Sequence, residues 1–193
     1  MTPPMTTLDT TARCCDPFVW GQGPKTLEVF LEPTCPFSGR AFGKLDALLA
    51  LAGAERLTIK LRLNSQPWHA FSPTLTRAVL AASTTPGGKD ATKAVLAAIA
   101  AHRDEFEPTQ HCQGPLLDRS PAQLLARLEE LSGIPLRAAF EDPALTTEVK
   151  WQAKYARQNG IHVTPTFMVD GIVAADMSSG DAVEVWLGKL GLG

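Results

Sequence analysis

The pattern of apolar and polar positions predicts two strands and a helix near the start of the chain. The segment 27–31 alternates, contains Val29 and Phe30, and is stopped by Pro33. The segment 57–63 alternates leucine or isoleucine with polar residues. Such alternation indicates strands. Between them, apolar residues recur at spacings of three and four, which predicts one helix from about Pro36 to a cap at Gly53. Its predicted apolar face comprises Phe37, Ala41, Leu45, Leu48 and Ala52. A crossover this long predicts that the two strands are parallel.

The rest of the chain adds a helical block and a hairpin. Segment 70–160 has mostly helical patterning, and Ser120-Pro121-Ala122-Gln123 is a capping box that begins one of its helices. The short strand 166–169, the turn Asp170-Gly171 and the return strand 172–174 predict a β-hairpin before a last helix near 181–190. This order predicts an α/β fold with a central mixed sheet and a large helical insertion at about 70–160.

Length and composition indicate one domain. The chain has 193 residues, of which 45% are hydrophobic, and this is enough for a single core. We assign residues 1–24 to an irregular N-terminal arm and residues 25–193 to the domain. No apolar run approaches the roughly 18 residues of a membrane span. The start lacks the features of a secretory signal, and we therefore expect a cytoplasmic protein.

The charge balance excludes one class of partner. The chain carries 18 basic and 20 acidic residues, with a formal net charge of −2. Proteins that bind nucleic acids usually present a basic surface. We therefore expect no nucleic acid among the partners, and the lack of a long apolar run leads us to expect no membrane either.

The candidate chemistry lies in four cysteines, Cys14, Cys15, Cys35 and Cys112. A chain without a secretory signal and with an ample core is not expected to need a disulfide framework. No Cys-x-x-Cys or His-x-x-x-His spacing occurs, and we predict no metal site. The cysteines are therefore either inert buried thiols or reactive ones.

Cys35 lies at the predicted junction between a strand end and a helix start. The first N–H groups of a helix lack backbone partners and carry positive partial charge. That charge favours the thiolate, which is the nucleophilic form of cysteine. The Ser38 hydroxyl, one turn along, could donate a hydrogen bond to the same sulfur. The alternative is that Cys35 is only a small apolar cap, since free cysteines are often buried.

A second feature is the segment Val163-Thr164-Pro165-Thr166, just before the predicted hairpin. A proline there should lie at an edge or at the start of a strand. The bond before a proline is nearly the only place for a cis peptide. A cis bond at Pro165 would leave the backbone of Thr164 open to an extended peptide or to glutathione. Most bonds of this kind are trans, so this segment alone does not decide the matter.

Other residues could contribute to a substrate pocket. Trp68 and His69 follow the second strand and could line a groove near Cys35, although an ordinary histidine with satisfied hydrogen bonds is the alternative. Cys112, in a predicted loop of the insertion, could reach Cys35 and resolve a disulfide, or it could be an unpaired loop thiol. Cys14 and Cys15 are interpreted as incidental thiols of the arm.

These features together resemble the DsbA-like branch of the thioredoxin superfamily, over about residues 25–190. The resemblance rests on Cys35-Pro36-Phe37-Ser38 at a helix start, the helical insertion, and Val163-Thr164-Pro165-Thr166-Phe167 before the hairpin. It implies a thioredoxin-like fold, a nucleophilic Cys35, and a cis-proline at Pro165 with Thr164 before it. Phe37 belongs to the family's intervening pair, and we include it among the substrate-binding residues. The activity implied is that of a protein-disulfide isomerase or disulfide oxidoreductase.

One departure from the family pattern shapes the prediction. Ser38 stands where the family has its second, resolving cysteine. An attack by Cys35 would then give a mixed disulfide that only an external thiol can clear. We therefore predict thiol–disulfide exchange through one cysteine, acting on protein or small-molecule thiols and disulfides. Glutathione is a candidate co-substrate, and no bound cofactor is expected.

Two other functions fit the same pattern. Kappa-class glutathione transferases and hydroxychromene-carboxylate isomerases share this fold and use a serine near the start of the same helix to hold the glutathione thiolate. Ser38 could take that part only if the binding frame moved by one turn, and Cys35 ahead of it argues against this. The other alternative is a non-catalytic module that presents Thr164 to extended peptides.

Overall fold

The computed structural model of the chain describes residues 16–193, and within them five strands form one mixed sheet. The strands are β1 (Val19–Gly21), β2 (Lys25–Leu31), β3 (Leu57–Leu63), β4 (Thr166–Val169) and β5 (Ile172–Val173). Their order across the sheet is β1-β3-β2-β4-β5. The β2–β3 pair is parallel, and the other neighbouring pairs are antiparallel. The parallel pair and the C-terminal hairpin predicted from the sequence are therefore confirmed.

Helices flank this sheet and fill the interval between β3 and β4. They are α1 (Pro36–Phe42), α2 (Leu45–Ala52), α3 (Ser72–Thr84), α4 (Gly88–Ala101), α5 (Pro121–Ser132), α6 (Arg137–Phe140), α7 (Ala144–Gln158) and α8 (Val183–Lys189). The predicted capping box is present, because the Ser120 hydroxyl accepts from the Gln123 N–H and the Gln123 side chain accepts from the Ser120 N–H. None of the described helices is long and apolar enough to cross a bilayer.

The insertion and the strand–helix frame share one core. Leu27, Val29 and Leu31 of β2 belong to the same cluster of buried residues as Leu124 and Leu128 of α5. The alternate residue of β2, Phe30, lies on the other face of the sheet in a small cluster under α7. This arrangement follows from the period-two alternation of a strand. The helical block is therefore part of the domain and does not form a separate bundle.

The irregular arm assigned to residues 1–24 is partly wrong. Residues 19–21 form strand β1, which pairs antiparallel with β3, and Phe18 and Trp20 are buried. A strand of three residues is too short for alternation to be recognised in the sequence. The predictions for residues 1–15, including those for Cys14 and Cys15, concern residues outside the described part of the chain.

The single helix predicted from Pro36 to Gly53 is also wrong, because it is interrupted at Gly43 and Lys44. The Lys44 ammonium donates hydrogen bonds to the carbonyl oxygens of Ser179 and Asp181, at 2.7 and 2.6 Å. This tertiary anchor and the low helix propensity of Gly43 outweigh the continuous apolar period. Phe37, which the spacing places on the apolar face, is instead exposed, although Ala41 on the same helix is buried.

Candidate active site

The loop after β2 carries Cys35 to the start of α1. The Cys35 N–H donates to the Glu32 carbonyl at 3.2 Å, and the Gly39 N–H donates to the Cys35 carbonyl at 2.9 Å. These bonds turn the chain from strand to helix with Cys35 as the N-cap and Pro36 in the first turn. The Cys35 side chain is only 7% exposed. The thiol thus lies at a helix end where N–H groups lack intrahelical partners.

Thr164 brings the second sequence feature to the same point. The Cys35 thiol donates to the Thr164 carbonyl oxygen over an Sγ–O distance of 3.5 Å. The Thr164–Pro165 peptide bond is cis, and both residues are partly accessible. Two segments separated by 129 positions therefore meet at the sulfur.

Ser38 is placed differently from the expectation. Its hydroxyl is buried and accepts a hydrogen bond from the Glu32 N–H at 3.2 Å. Within residues 16–193, no hydrogen bond joins this hydroxyl to the Cys35 sulfur. The physical reason is that the end of β2 leaves the Glu32 N–H in need of an acceptor, and Ser38 lies beside it. Ser38 therefore fixes the turn between strand and helix and does not donate to the thiol.

The apolar surface near the thiol is formed in part by Phe37, which is 53% exposed, and Val163, which is also exposed. The Arg40 guanidinium lies 5.6 Å from the centre of the Phe37 ring. Beside Cys35, a groove of about 460 Å³ opens between α1 and α4, and its polar lining includes Arg40 and Arg103. The site thus offers both apolar contact and cationic groups.

Trp68 and His69 do not line that groove as expected. The Trp68 ring is exposed, but the His69 ring beside it is only 5% exposed. His69 faces inward because Thr34 supplies a hydrogen-bond partner there, with 2.7 Å between Thr34 Oγ1 and His69 Nδ1. The structure therefore favours the alternative, a histidine with a satisfied hydrogen bond.

A buried polar network lies directly behind the Cys35 loop. The N–H and the hydroxyl of Thr34 both donate to Glu32 Oε2, at 2.7 and 2.8 Å. With the hydroxyl proton directed at Glu32, His69 donates its Nδ1 proton to Thr34 Oγ1. The Arg103 guanidinium donates to the Thr34 carbonyl at 2.6 Å. Thr34 therefore connects the loop before Cys35 to two other parts of the chain.

Burial controls the ionisation of this network. Desolvation raises the pKa of the Glu32 carboxyl, and the hydrogen bonds from Thr34 oppose that shift. Desolvation likewise lowers the pKa of His69, against the attraction of the Glu107 carboxylate. Both shifts favour the uncharged form, as expected for ionisable groups removed from water.

The network continues into the loop after α4. Glu107 Oε2 lies 3.6 Å from His69 Nδ1, and Glu107 Oε1 lies 2.6 Å from His111 Nδ1. Five residues of this network were not identified from the sequence: Glu32, Thr34, Arg103, Glu107 and His111. The four-residue spacing of Glu107 and His111 was the one available signal, and the other contacts join distant segments.

Cys112 does not pair with Cys35. Both are free thiols, and Cys112 is exposed. The Cys112 sulfur lies 3.6 Å from the Trp68 carbonyl, in a residue with a φ of 56°. The structure therefore favours the unpaired loop thiol over the resolving cysteine.

Comparisons with solved structures place this geometry among known proteins. The crystal structure of a Pseudomonas syringae protein proposed to be a protein-disulfide isomerase shares 55% identity, covers 91% of this chain and 98% of that chain, and gives a TM-score of 0.89. A thioredoxin-like oxidoreductase from Silicibacter pomeroyi shares 20% identity, with coverages of 89% and 88% and a TM-score of 0.62. DsbA2 from Pseudomonas aeruginosa shares 19% identity, with coverages of 91% and 93% and a TM-score of 0.62. The last two show a likeness of fold alone.

Comparison with protein-family models and with curated proteins gives no match.

Proposed function

Because the chain belongs to the DsbA-like branch of the thioredoxin superfamily, we propose that it catalyses thiol–disulfide exchange with Cys35 as its single nucleophile. The observation that carries this proposal is the contact between the Cys35 sulfur, at the start of α1, and the Thr164 carbonyl, 3.5 Å away. It places a thiol at a helix N-terminus next to backbone with which an extended substrate can pair. The 55% identity to the Pseudomonas syringae protein supports the same chemistry.

The exchange begins when the Cys35 thiolate attacks one sulfur of a substrate disulfide. A bond forms between Cys35 and that sulfur, the substrate S–S bond breaks, and the second substrate sulfur leaves as a thiolate that takes up a proton. In isomerisation, a thiolate of the same substrate then attacks the mixed disulfide. The attack releases Cys35 and leaves the substrate with a new disulfide. No net oxidation occurs.

When no substrate thiolate attacks the mixed disulfide, an external thiol must release Cys35 from it. Ser38 cannot form a disulfide with Cys35, and therefore a thiolate such as that of glutathione must attack the mixed disulfide. Glutathione carries two carboxylates, and the groove beside Cys35 presents the guanidinium groups of Arg40 and Arg103. Guanidinium groups bind carboxylates well, so this groove suits glutathione as the co-substrate.

The kappa-class alternative loses support from the placement of Ser38. A serine that holds a glutathione thiolate must present its hydroxyl to the ligand. The Ser38 hydroxyl is buried and bonded to the Glu32 N–H. The exposed Phe37 and Val163 instead suit apolar segments of a protein substrate.

The test is to incubate the full chain with oxidised glutathione and to map adducts by mass spectrometry. We expect one stable adduct on Cys35, removed by added thiol, and catalysed exchange of a peptide disulfide. Cys35→Ser should abolish both, whereas Cys112→Ser should leave both unchanged. Ser38→Cys should convert the adduct into an internal disulfide, since residues one helical turn apart lie within bonding range.

Two results would refute the single-nucleophile proposal. One is an internal disulfide between Cys35 and Cys112 in the unaltered protein. The other is peptide-disulfide exchange that survives in Cys35→Ser.

A further inference from the structure

Three side chains that commonly bind metals meet behind the Cys35 loop. His69 follows β3, and Glu107 and His111 lie four residues apart in the loop after α4. One ligand atom from each lies within 4.8 Å of the other two. The rings of His69 and His111 lie with their centroids 4.8 Å apart. Two separate segments thus bring two imidazoles and one carboxylate to one point.

The carboxylate in this cluster lacks a partner on one side. Glu107 is 1% exposed, and its Oε2 has no hydrogen-bond partner among residues 16–193. Oε1 of the neighbouring Glu32 is also buried and also lacks a hydrogen-bond partner among residues 16–193. A buried carboxylate oxygen without a partner is costly, and most buried polar groups are satisfied. A cation next to Glu107 Oε2 would supply the missing interaction.

We infer that His69, Glu107 and His111 form a binding site for a divalent transition metal, with Zn²⁺ as the metal that fits the donors. Imidazole nitrogen and carboxylate oxygen are zinc ligands, and three protein ligands with an open fourth position are a common arrangement. Calcium and magnesium are disfavoured because they require six or more oxygen ligands or several retained waters.

The distances suit this assignment after a small movement. Two donor atoms at about 2 Å from one tetrahedral ion lie about 3.3 Å apart. The separation of Glu107 Oε2 from His69 Nδ1 is 3.6 Å, close to that value. His111 Nδ1 lies 2.6 Å from Glu107 Oε1 and must withdraw by less than about 1 Å. The His111 side chain is 46% exposed, and it can therefore move and leave the fourth position open to water.

Metal binding through His69 Nδ1 would replace the hydrogen bond that this nitrogen donates to Thr34 Oγ1, which lies 2.7 Å away. The Thr34 hydroxyl would keep its hydrogen bond to Glu32 Oε2. The metal site was not predicted because the sequence has no Cys-x-x-Cys or His-x-x-x-His pair. The cluster instead combines His69 with a Glu-x-x-x-His segment, Glu107 to His111. The site does not use Cys35, and the proposal goes beyond thiol exchange.

The experiment is a titration of the full-length, metal-free protein with Co²⁺ and with Zn²⁺, followed by absorption spectroscopy and calorimetry. We expect one equivalent of metal to bind, without the sulfur-to-cobalt charge-transfer band that thiolate ligands produce. His111→Ala and Glu107→Gln should each weaken binding at least about tenfold, since even outer-shell changes cost 10- to 100-fold. His102→Ala, which alters a histidine outside the cluster, should leave the affinity unchanged.

The outcomes separate cleanly. His111 is exposed, and its replacement should fold even if Glu107→Gln does not. Absence of one bound equivalent, an affinity unchanged in His111→Ala, or a thiolate charge-transfer band that disappears in a Cys14→Ser/Cys15→Ser variant would each overturn the site. Cys35→Ser should retain the bound equivalent while losing exchange, so failure of the metal site is distinct from failure of the proposed exchange activity.

Discussion

Thr34 is the residue at which the parts of the site are joined. Its N–H and hydroxyl contact the Glu32 carboxylate, its hydroxyl contacts His69, and its carbonyl accepts from Arg103. It is also the immediate neighbour of Cys35. The Thr34 side chain therefore links the loop before Cys35 to the segment after β3, and its backbone carbonyl links the same loop to Arg103.

At the residue scale, we predict that Thr34→Val destabilises the protein although it keeps the shape of the side chain. The valine would remove one of the two hydrogen bonds to Glu32 Oε2, because the backbone N–H remains, and it would leave His69 Nδ1 without its hydrogen-bond partner. This should lower the free energy of unfolding by about 1–3 kcal/mol. Urea denaturation measures the change. Thr147→Val, on an exposed face of α7, is the matched control and should change stability by less than about 0.5 kcal/mol. Equal stabilities for the two variants would contradict the prediction.

The sequence does not show that the residues of this buried network contact one another. Glu32, His69 and Glu107 are far apart along the chain and follow no motif. Their contacts depend on where α4 places the loop that follows it. By contrast, Cys35 and Pro165 can each be identified from the local sequence pattern. Cys35 lies at a predicted helix start, and Pro165 lies before a predicted hairpin.

At the scale of elements, the β4–β5 hairpin is anchored to the start of β2. Asp170 begins the turn with a φ of 49°, a region that aspartate tolerates better than most residues. Its carboxylate accepts from the Lys25 ammonium at 2.7 Å and from the Thr26 N–H at 2.9 Å. These bonds hold the hairpin in register with the strand that leads to Cys35.

The contribution of the Asp170 anchor to the free energy of unfolding should decrease as the pH falls. The hydrogen bonds from Lys25 and Thr26 lower the pKa of Asp170 in the folded protein. Its contribution to stability is therefore present above the unfolded value of about 3.9 and is lost as the pH falls through the folded value. We predict that Asp170→Asn lowers stability near neutral pH and that the difference from wild type shrinks below about pH 4.

Urea titrations over that range test the prediction, with Asp118→Asn as the control. Asp118 is exposed on a short 3₁₀ turn, and in residues 16–193 it has no ion-pair partner. A stability difference for Asp170→Asn that stays constant across the acid range would show that the carboxylate is not responsible.

The elements that the sequence predicted well are those in which a local pattern and the tertiary contacts agree. Strand β3 alternates and has one fully buried face, and the capping box at Ser120 is satisfied within its own helix. Strand β1 and the interruption at Lys44 escaped prediction for the opposite reason. β1 is a strand because β3 offers it a partner, and the interruption exists because distant carbonyls accept from Lys44.

At the scale of the whole molecule, the predicted α/β, thioredoxin-like fold is confirmed, and the insertion is built into its core. Ile59 of β3 and Leu128 of α5 are both fully buried in one cluster. A shared core means that neither part retains its apolar contacts when the other unfolds. Two-state unfolding is the expected behaviour.

We predict that the frame and the insertion unfold in one transition. Ile59→Ala and Leu128→Ala should each lower stability by about 2–5 kcal/mol and should shift the same transition. Circular dichroism reports mainly the helices. In a Trp68→Phe/Trp151→Phe background, chosen because Trp151 lies on α7 of the insertion, tryptophan fluorescence reports Trp20 and Trp186 of the core. The two signals should coincide in both variants. An early helical transition in Leu128→Ala, with fluorescence unchanged, would show that the insertion is an independent unit.

The contact between Cys35 and Thr164 also has a consequence for biosynthesis. Thr164 leaves the ribosome 129 residues after Cys35. At about 5–20 residues per second, the cysteine therefore waits on the order of 10 s before its partner backbone exists. During that interval the Cys35 thiol lacks the Thr164 backbone that lies beside it in the folded protein. The contact can form only after residue 164 of the 193 has been made, and a product truncated before Thr164 carries the cysteine without it.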